Sequence, residues 1–230
     1  DGGPVAVPSQ DMVLGIYYLT QERPGVKGEG KSFKNLNEAI LAYENGVITL
    51  HSRIKVRVTK TIDGEVKSGI VESTLGRFLF NEIIPQDLGF VDRSIPGNEL
   101  LLEVDFLVGK KQNKQILQKV INTHGATVTA EVLDKIKATG YKYSTKAAMT
   151  VSISEMTVPP QKPQMIQEAQ DTVDRITKNF KRGLITEEER YKEVVETWKN
   201  TDDALTKALL DGLDKYNNIF MMADSGARGS

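Results

Sequence analysis

The 230-residue sequence predicts an α+β protein, a mixed α/β region followed by a long antiparallel helical hairpin. Three observations predict it. Residues 47–73 alternate apolar and polar on either side of Asp63-Gly64, the pattern of a β-hairpin. Residues 164–183 and 186–216 carry apolar residues at spacings of three and four, the pattern of amphipathic helices. The stretch "VPPQKP" (158–163) separates the two characters.

The elements follow in order. An extended stretch fenced by Pro4 and Pro8 leads to Ser9 or Asp11 as a cap, and Met12, Val13, Ile16 and Tyr17 then mark a helix. Pro24 and several glycines make 21–32 a loop. "NLNEAILAYENG" is a compact helix with Asn35 and Glu38 in capping-box spacing, Ile40 and Leu41 as its apolar face, and Gly46 at C′. In the β-hairpin, Ile48, Leu50, Ile54, Val56 and Val58 point one way, and Thr49, His51, Arg53, Lys55 and Arg57 the other. The basic face suits a phosphate backbone, a solvated sheet face or a covering neighbour. "STLGRFLFNEIIP" (73–85) reads as a short helix ended before Pro85. "ELLLEVDFLV" (99–108) reads as a strand. Ile116, Leu117, Val120 and Ile121 mark one helix and Val132, Leu133 and Ile136 a second, divided at Gly125 and closed at Gly140. Lys110, Lys111, Lys114 and Lys119 form a wet face. In the hairpin, Gly183 stops the first helix, and Thr186 with Glu189 forms a capping box for the next.

Composition excludes several function classes. Thirty basic against 31 acidic residues leave a net charge of -1, so the chain has no global pull toward nucleic acid or membrane. It has no cysteine, which removes disulfides and thiolate metal sites and fits a reducing compartment. No apolar run approaches the ~20 residues that span a bilayer. The start, Asp1-Gly2-Gly3-Pro4, has no signal-peptide features and reads as an excised piece.

Chemistry is sparse. His51 and His124 lie in unrelated segments, and no nucleophile–base spacing stands out. Glu187, Glu188 and Glu189 splay over most of a turn and favour a helix N-terminus rather than a metal. His51 is expected on the surface. The closing "FMMADSGARGS" (220–230) fits both a fraying tail and half of a phosphate site, with Arg228 as a fork of donors and Gly226 and Gly229 permitting close approach. The hairpin is either buried in its own domain or, its single stripes consumed by the partner helix, a projecting docking post with a charged tip.

Several stretches are recognisable in order along the chain. "VPSQDMVLGIYYLT", "LHSRIKVRV", "TLGRFLFNEIIP", "GLITEEERY" and "IFMMADSGARGS" resemble the largest, beta prime subunit of bacterial DNA-directed RNA polymerase. The resemblance implies that residues 1–155 form the pore or secondary-channel region and 156–230 the funnel region, whose hairpin is the channel rim. It implies a part in a cytoplasmic nucleotidyltransferase acting in transcription. The resemblance also implies that the Mg²⁺ ligands lie outside this chain, in an upstream Asn-Ala-Asp-Phe-Asp-Gly-Asp motif, so no metal site and no catalytic residue are expected here. By carry-over, Arg228, Met222 and Gln10 lie at the nucleoside triphosphate. Glu189, Tyr191, Lys192 and Glu193 form the rim site for Gre-type transcript-cleavage factors, although Lys192-Glu193 departs from the Asn-Lys of enterobacterial versions. Implied partners are the beta, alpha, omega and sigma subunits, DNA and RNA, without a membrane. Two rivals are a free-standing helical-hairpin adaptor and a nucleotide-binding enzyme using the "SGARGS" loop.

Overall fold

The computed structural model describes residues 8–149 and 158–229. The expected stretch at Pro4 and the boundary near residue 155 lie outside them. The described residues divide into two compact units, one of 8–149 with 221–229 and one of 158–220.

In the first unit the central element is α1 (Gln10–Thr20). Ser9 occupies its N-cap with extended backbone but no side-chain cap bond. The expected face of Met12, Val13, Ile16 and Tyr17 is buried, and so are Gly15, Tyr18, Leu19 and Thr20. A helix buried almost all round needs neighbours on every side. Glycines let two of them approach. A Cβ at Gly15 would lie 1.8 Å from the carbonyl oxygen of Gly140, and one at Gly76 would lie 1.8 Å from that of Leu19. Only hydrogen in place of a side chain permits backbones to meet this closely.

The sheet is small. β1 (Ser32–Phe33) pairs parallel with β2 (Arg53–Ile62), and β2 pairs antiparallel with β3 (Glu65–Thr74), Ile62 facing Glu65. Asp63 and Gly64 both have positive φ, 52° and 79°, as a type I′ turn requires. Between β1 and β2, α2 (Leu36–Glu44) is capped by the Asn35 side chain and closed at Gly46, but Ala39 rather than Leu41 is its buried residue. β2 begins at Arg53, later than the alternation from 47 suggests, so Ile48 and Leu50 enter the core from a loop.

His51 is a second departure. It is 4% exposed rather than on the surface. Its Nδ1–H donates to the Gln21 carbonyl at 2.9 Å, and the Tyr18 ring meets it edge-on at 4.6 Å. Burial first, then the Arg23 charge, push its pKa down to about 4 against the weaker upward pull of the Gln21 bond. The imidazole is therefore folded in neutral form.

α3 (Leu75–Asn81) follows β3 directly, with the Thr74 hydroxyl accepting from the Arg77 amide as its cap. The strand expected at 99–108 is absent; the segment runs irregularly and takes its hydrogen bonds from side chains. The Asn81 carboxamide donates to the Val104 carbonyl at 2.7 Å and accepts from the Val104 amide at 3.0 Å, so one side chain substitutes for a strand neighbour. Gln86 accepts from the Glu103 amide, and the buried Glu103 carboxylate accepts from the amides of Phe90 and Val91. The Thr20 hydroxyl accepts from the Val108 amide at 3.0 Å.

α4 (Lys110–Met149) is two helical limbs broken at Gly125, whose φ is 83°. The predicted apolar residues of both limbs are buried, apart from half-buried Ile121. Gly140 does not close the second limb; the helix continues, and Gly140 is its contact with α1. Lys110, Lys111 and Lys114 are exposed, whereas Lys119 lies over the Phe90 ring at 4.8 Å.

The second unit is the hairpin of α5 (Lys162–Lys181) and α6 (Glu187–Gly212). The helices run antiparallel, Met165 and Ala169 lying beside Thr201 and Ala204 while Ile176 and Asn179 lie beside Glu193. α6 ends short of the predicted 216.

Two outcomes test this account. Gly15→Ala lowers the opening free energy of α1 amides in hydrogen exchange by about 1–3 kcal/mol, the usual cost of overpacking. The His51 pKa is depressed on folding, so its contribution is full above about pH 6.5 and is lost as pH falls through 4. Exchange protection around α1 and the start of β2 declines across that window by roughly 3 kcal/mol at most. His51→Gln flattens the decline.

Candidate functional site

The C-terminal segment is a built turn. α7 (Asn218–Asp224) ends in a Schellman motif around Gly226, whose φ is 77°. The Gly226 amide donates to the Ala223 carbonyl at 3.2 Å and the Ala227 amide to that of Met222 at 3.1 Å. Ser225 braces the turn, its hydroxyl donating to the Met222 carbonyl and accepting from the Ala227 amide. Gly226 thus serves helix closure. The fraying alternative does not hold for 225–228: Ser225 and Ala227 are buried, the Arg228 amide donates to the Met222 carbonyl, and the Ser225 carbonyl accepts from the Lys110 amide at 2.7 Å. Gly109 leaves room for this, since a Cβ there would lie 3.0 Å from the Ser225 oxygen.

This turn brings two of the three predicted nucleotide residues together. Arg228 is exposed, and its Nε and Nη2 donate to Gln10 Oε1 at 3.3 and 3.0 Å. Gln10 is the first residue of α1, so the contact joins opposite ends of the chain. Met222 sits half-buried on the same turn, its carbonyl also accepting from the Arg228 amide at 3.2 Å. Among the described residues Arg228 makes no ion pair. A neutral amide orients the guanidinium and leaves its charge uncompensated, the state in which it attracts an anion most strongly.

Sequence reasoning missed Tyr17 and Asp224, whose side chains bond at 2.6 Å. A signal was present: Asp224 is an acid at the carbonyl end of a helix, where the dipole disfavours it.

At the hairpin tip, Thr186 and Glu189 form both bonds of the predicted capping box, at 3.1 and 3.0 Å. The Glu189 carboxylate is therefore engaged in holding the start of α6. Gly183, with φ 75°, closes α5 as predicted. Arg190 pairs with Glu187 and lies over the Phe180 ring at 5.6 Å. Tyr191, Lys192 and Glu193 are exposed. The expectation that the partner helix consumes the apolar stripe is corrected. Tyr191, Val195 and Trp198 are 65%, 48% and 37% exposed, and α6 has no buried residue. A two-helix hairpin gives each helix one neighbour, so a broad stripe stays partly open.

Comparison with known proteins bears on both sites. The family described as RNA polymerase Rpb1, domain 3, matches residues 1–156, and RNA polymerase Rpb1, domain 4, matches 185–230. The chain belongs to the largest-subunit family of RNA polymerase. The DNA-directed RNA polymerase subunit beta prime of Lachnoclostridium phytofermentans is 70% identical over the whole chain, that of Clostridium acetobutylicum 58% and that of Acetivibrio thermocellus 56%. The chain spans 18%, 20% and 20% of these relatives, about a fifth of a beta prime subunit. The match along the whole chain disfavours a free-standing adaptor. Among the described residues no His, Cys, Asp or Glu cluster could hold a metal ion, and no helix is long and apolar enough to cross a membrane.

The capping geometry separates two substitutions at one position. Glu189→Ala lowers hairpin stability by about 0.5–1 kcal/mol, whereas Glu189→Gln, which can still accept from the Thr186 amide, leaves it nearly unchanged. Trp198, the sole tryptophan, reports the melt by fluorescence.

Proposed function

We propose that this beta prime segment lines the channel by which nucleoside triphosphates reach the polymerase active site, and that Arg228, oriented by Gln10, binds the triphosphate there. The observation that carries this reading is the exposed guanidinium held by a neutral amide, with no carboxylate paired to it among the described residues. Arginine presents planar donors that match phosphate oxygens, and its charge offsets the negative charge that builds on departing pyrophosphate. Met222, on the same turn, borders the nucleotide. The family resemblance puts the Mg²⁺ ligands of nucleotidyl transfer elsewhere in the enzyme, and the role of Arg228 is the binding of phosphate rather than of the ion. The segment acts in the cytoplasm within an assembly with the beta, alpha, omega and sigma subunits on DNA and RNA, and has no catalysis of its own.

The hairpin is the second functional surface. Its open Tyr191 beside exposed Lys192 and Glu193 supports docking of Gre-type factors at the rim. Because Glu189 holds the cap, its part in docking is to be judged from the glutamine variant rather than from alanine.

Arg228→Ala in the reconstituted polymerase raises the KM for nucleoside triphosphate by on the order of tenfold or more, the loss expected for a charge-assisted contact. Promoter binding is unaffected. An unchanged KM overturns the nucleotide reading. Tyr191→Ala weakens association of a Gre-type factor with the same polymerase and leaves the KM unchanged; undiminished association overturns the rim reading.

A further inference from the structure

The bond between Tyr17 and Asp224 is a short side-chain contact at the nucleotide turn that the proposed function leaves unused. Tyr17 is 3% exposed, midway along α1, and its hydroxyl donates to Asp224 Oδ2 at 2.6 Å. Burial first, and then the Asp224 bond and charge, push the phenol well above its ordinary pKa, so it remains a donor at any pH where the enzyme works. Asp224 is the last residue of α7. A carboxylate there meets the negative end of the helix dipole, and among the described residues no cation pairs with it. The short bond from Tyr17 offsets that cost, since O–H donors to carboxylates are among the stronger hydrogen bonds.

The spacing gives the bond a purpose. Gln10 and Tyr17 stand seven residues apart on α1, two turns along one face. Asp224 and Arg228 stand four apart across the Schellman turn. α1 and the C-terminal turn therefore meet at two points, Tyr17 with Asp224 and Gln10 with Arg228. The first contact is buried at its α1 end and charge-assisted, and the second is exposed. The first fixes the rotation of α7 about its axis, and the Met222 carbonyl passes that rotation on to the Arg228 amide. We infer that Tyr17 and Asp224 are positioning residues that latch the α7 turn to α1 and so hold the Arg228 guanidinium in register for the triphosphate. This rests on the nucleotide reading of Arg228.

The test is nucleotide incorporation by the whole reconstituted polymerase carrying Tyr17→Phe, Arg228→Ala or both. Phenylalanine keeps the buried ring and removes only the hydroxyl. Tyr17→Phe is expected to raise the KM for nucleoside triphosphate roughly fivefold with a smaller change in kcat, and to have no further effect in the Arg228→Ala background. If Arg228→Ala leaves KM unchanged, the nucleotide reading itself fails. If Arg228→Ala raises KM but Tyr17→Phe does not, the latch is overturned and the reading stands. An equal effect of Tyr17→Phe in both backgrounds assigns the bond to general stability and also overturns the latch. Should Tyr17→Phe fail to assemble, the Asp224 variants decide. Asp224→Asn, which can still accept the bond, is expected to stay within about twofold of the unaltered enzyme and Asp224→Ala to match the fivefold loss. Equal KM values for the two overturn the latch.

Discussion

The close approach of α1 to its neighbours is the constraint on which the first unit depends. At Gly15 and Gly140 the backbones of α1 and α4 touch, and at Gly76 the start of α3 touches the end of α1. Each contact needs the absence of a Cβ, and each removes side-chain area that could have been buried. The return is that Val13, Ile16 and Leu19 are sealed from water on all sides. Full burial of such a side chain is worth about 1.5–3 kcal/mol. The position of α1 in turn fixes Gln10, Tyr17 and Thr20. These three side chains reach the nucleotide turn, the α7 helix and the segment leading into α4.

A second economy follows from the first. With α1 and α3 in contact, the chain from 86 to 108 packs against them without pairing into the sheet. Its backbone groups still require partners, because burying an unsatisfied amide costs on the order of 1–3 kcal/mol. Asn81, Gln86 and Glu103 supply them, and Arg77 reinforces the arrangement by donating to the Thr20 carbonyl at 2.9 Å while pairing with Asp105 at 3.3 Å. Asp105 also accepts from the Ser73 hydroxyl at 2.6 Å, joining this segment to β3. Side-chain amides and carboxylates thus perform a task that a strand partner performs elsewhere.

The hairpin is stabilised differently. Its described residues bury little beyond Ala169 and Ile176, and its order comes from local devices: the Gly183 closure, the Thr186–Glu189 box and the Gln167–Asp171 and Gln170–Asp174 pairs at four-residue spacing. A structure held by its own local bonds can leave a face open. The nucleotide turn combines both kinds of bond, since its Schellman closure is local but the contacts that seat it, from Gln10, Tyr17 and Lys110, come from distant sequence.

That contrast divides what was legible in the sequence from what was not. The Asn35 cap, the Thr186–Glu189 capping box, the Asp63-Gly64 turn, the Gly46 and Gly183 closures and the break at Gly125 each depend on residues within about five positions, so the sequence by itself determined them. It also determined the α+β class, because periodicity survives whatever the tertiary packing, and the motifs that carry the family resemblance are contiguous. The pairing of Gln10 with Arg228 was legible only as shared family membership; nothing local to either residue announces a contact across the chain. Tertiary structure alone decided that His51 is buried, because its partners come from the end of α1 and the loop after it. It decided that 99–108 is not a strand, because apolar alternation states which side chains are buried but not where the backbone finds its hydrogen bonds. It decided, too, that Gly140 lies inside a helix. A glycine that ends a helix and one that admits another backbone are the same letter, and only the arrival of α1 against it separates them.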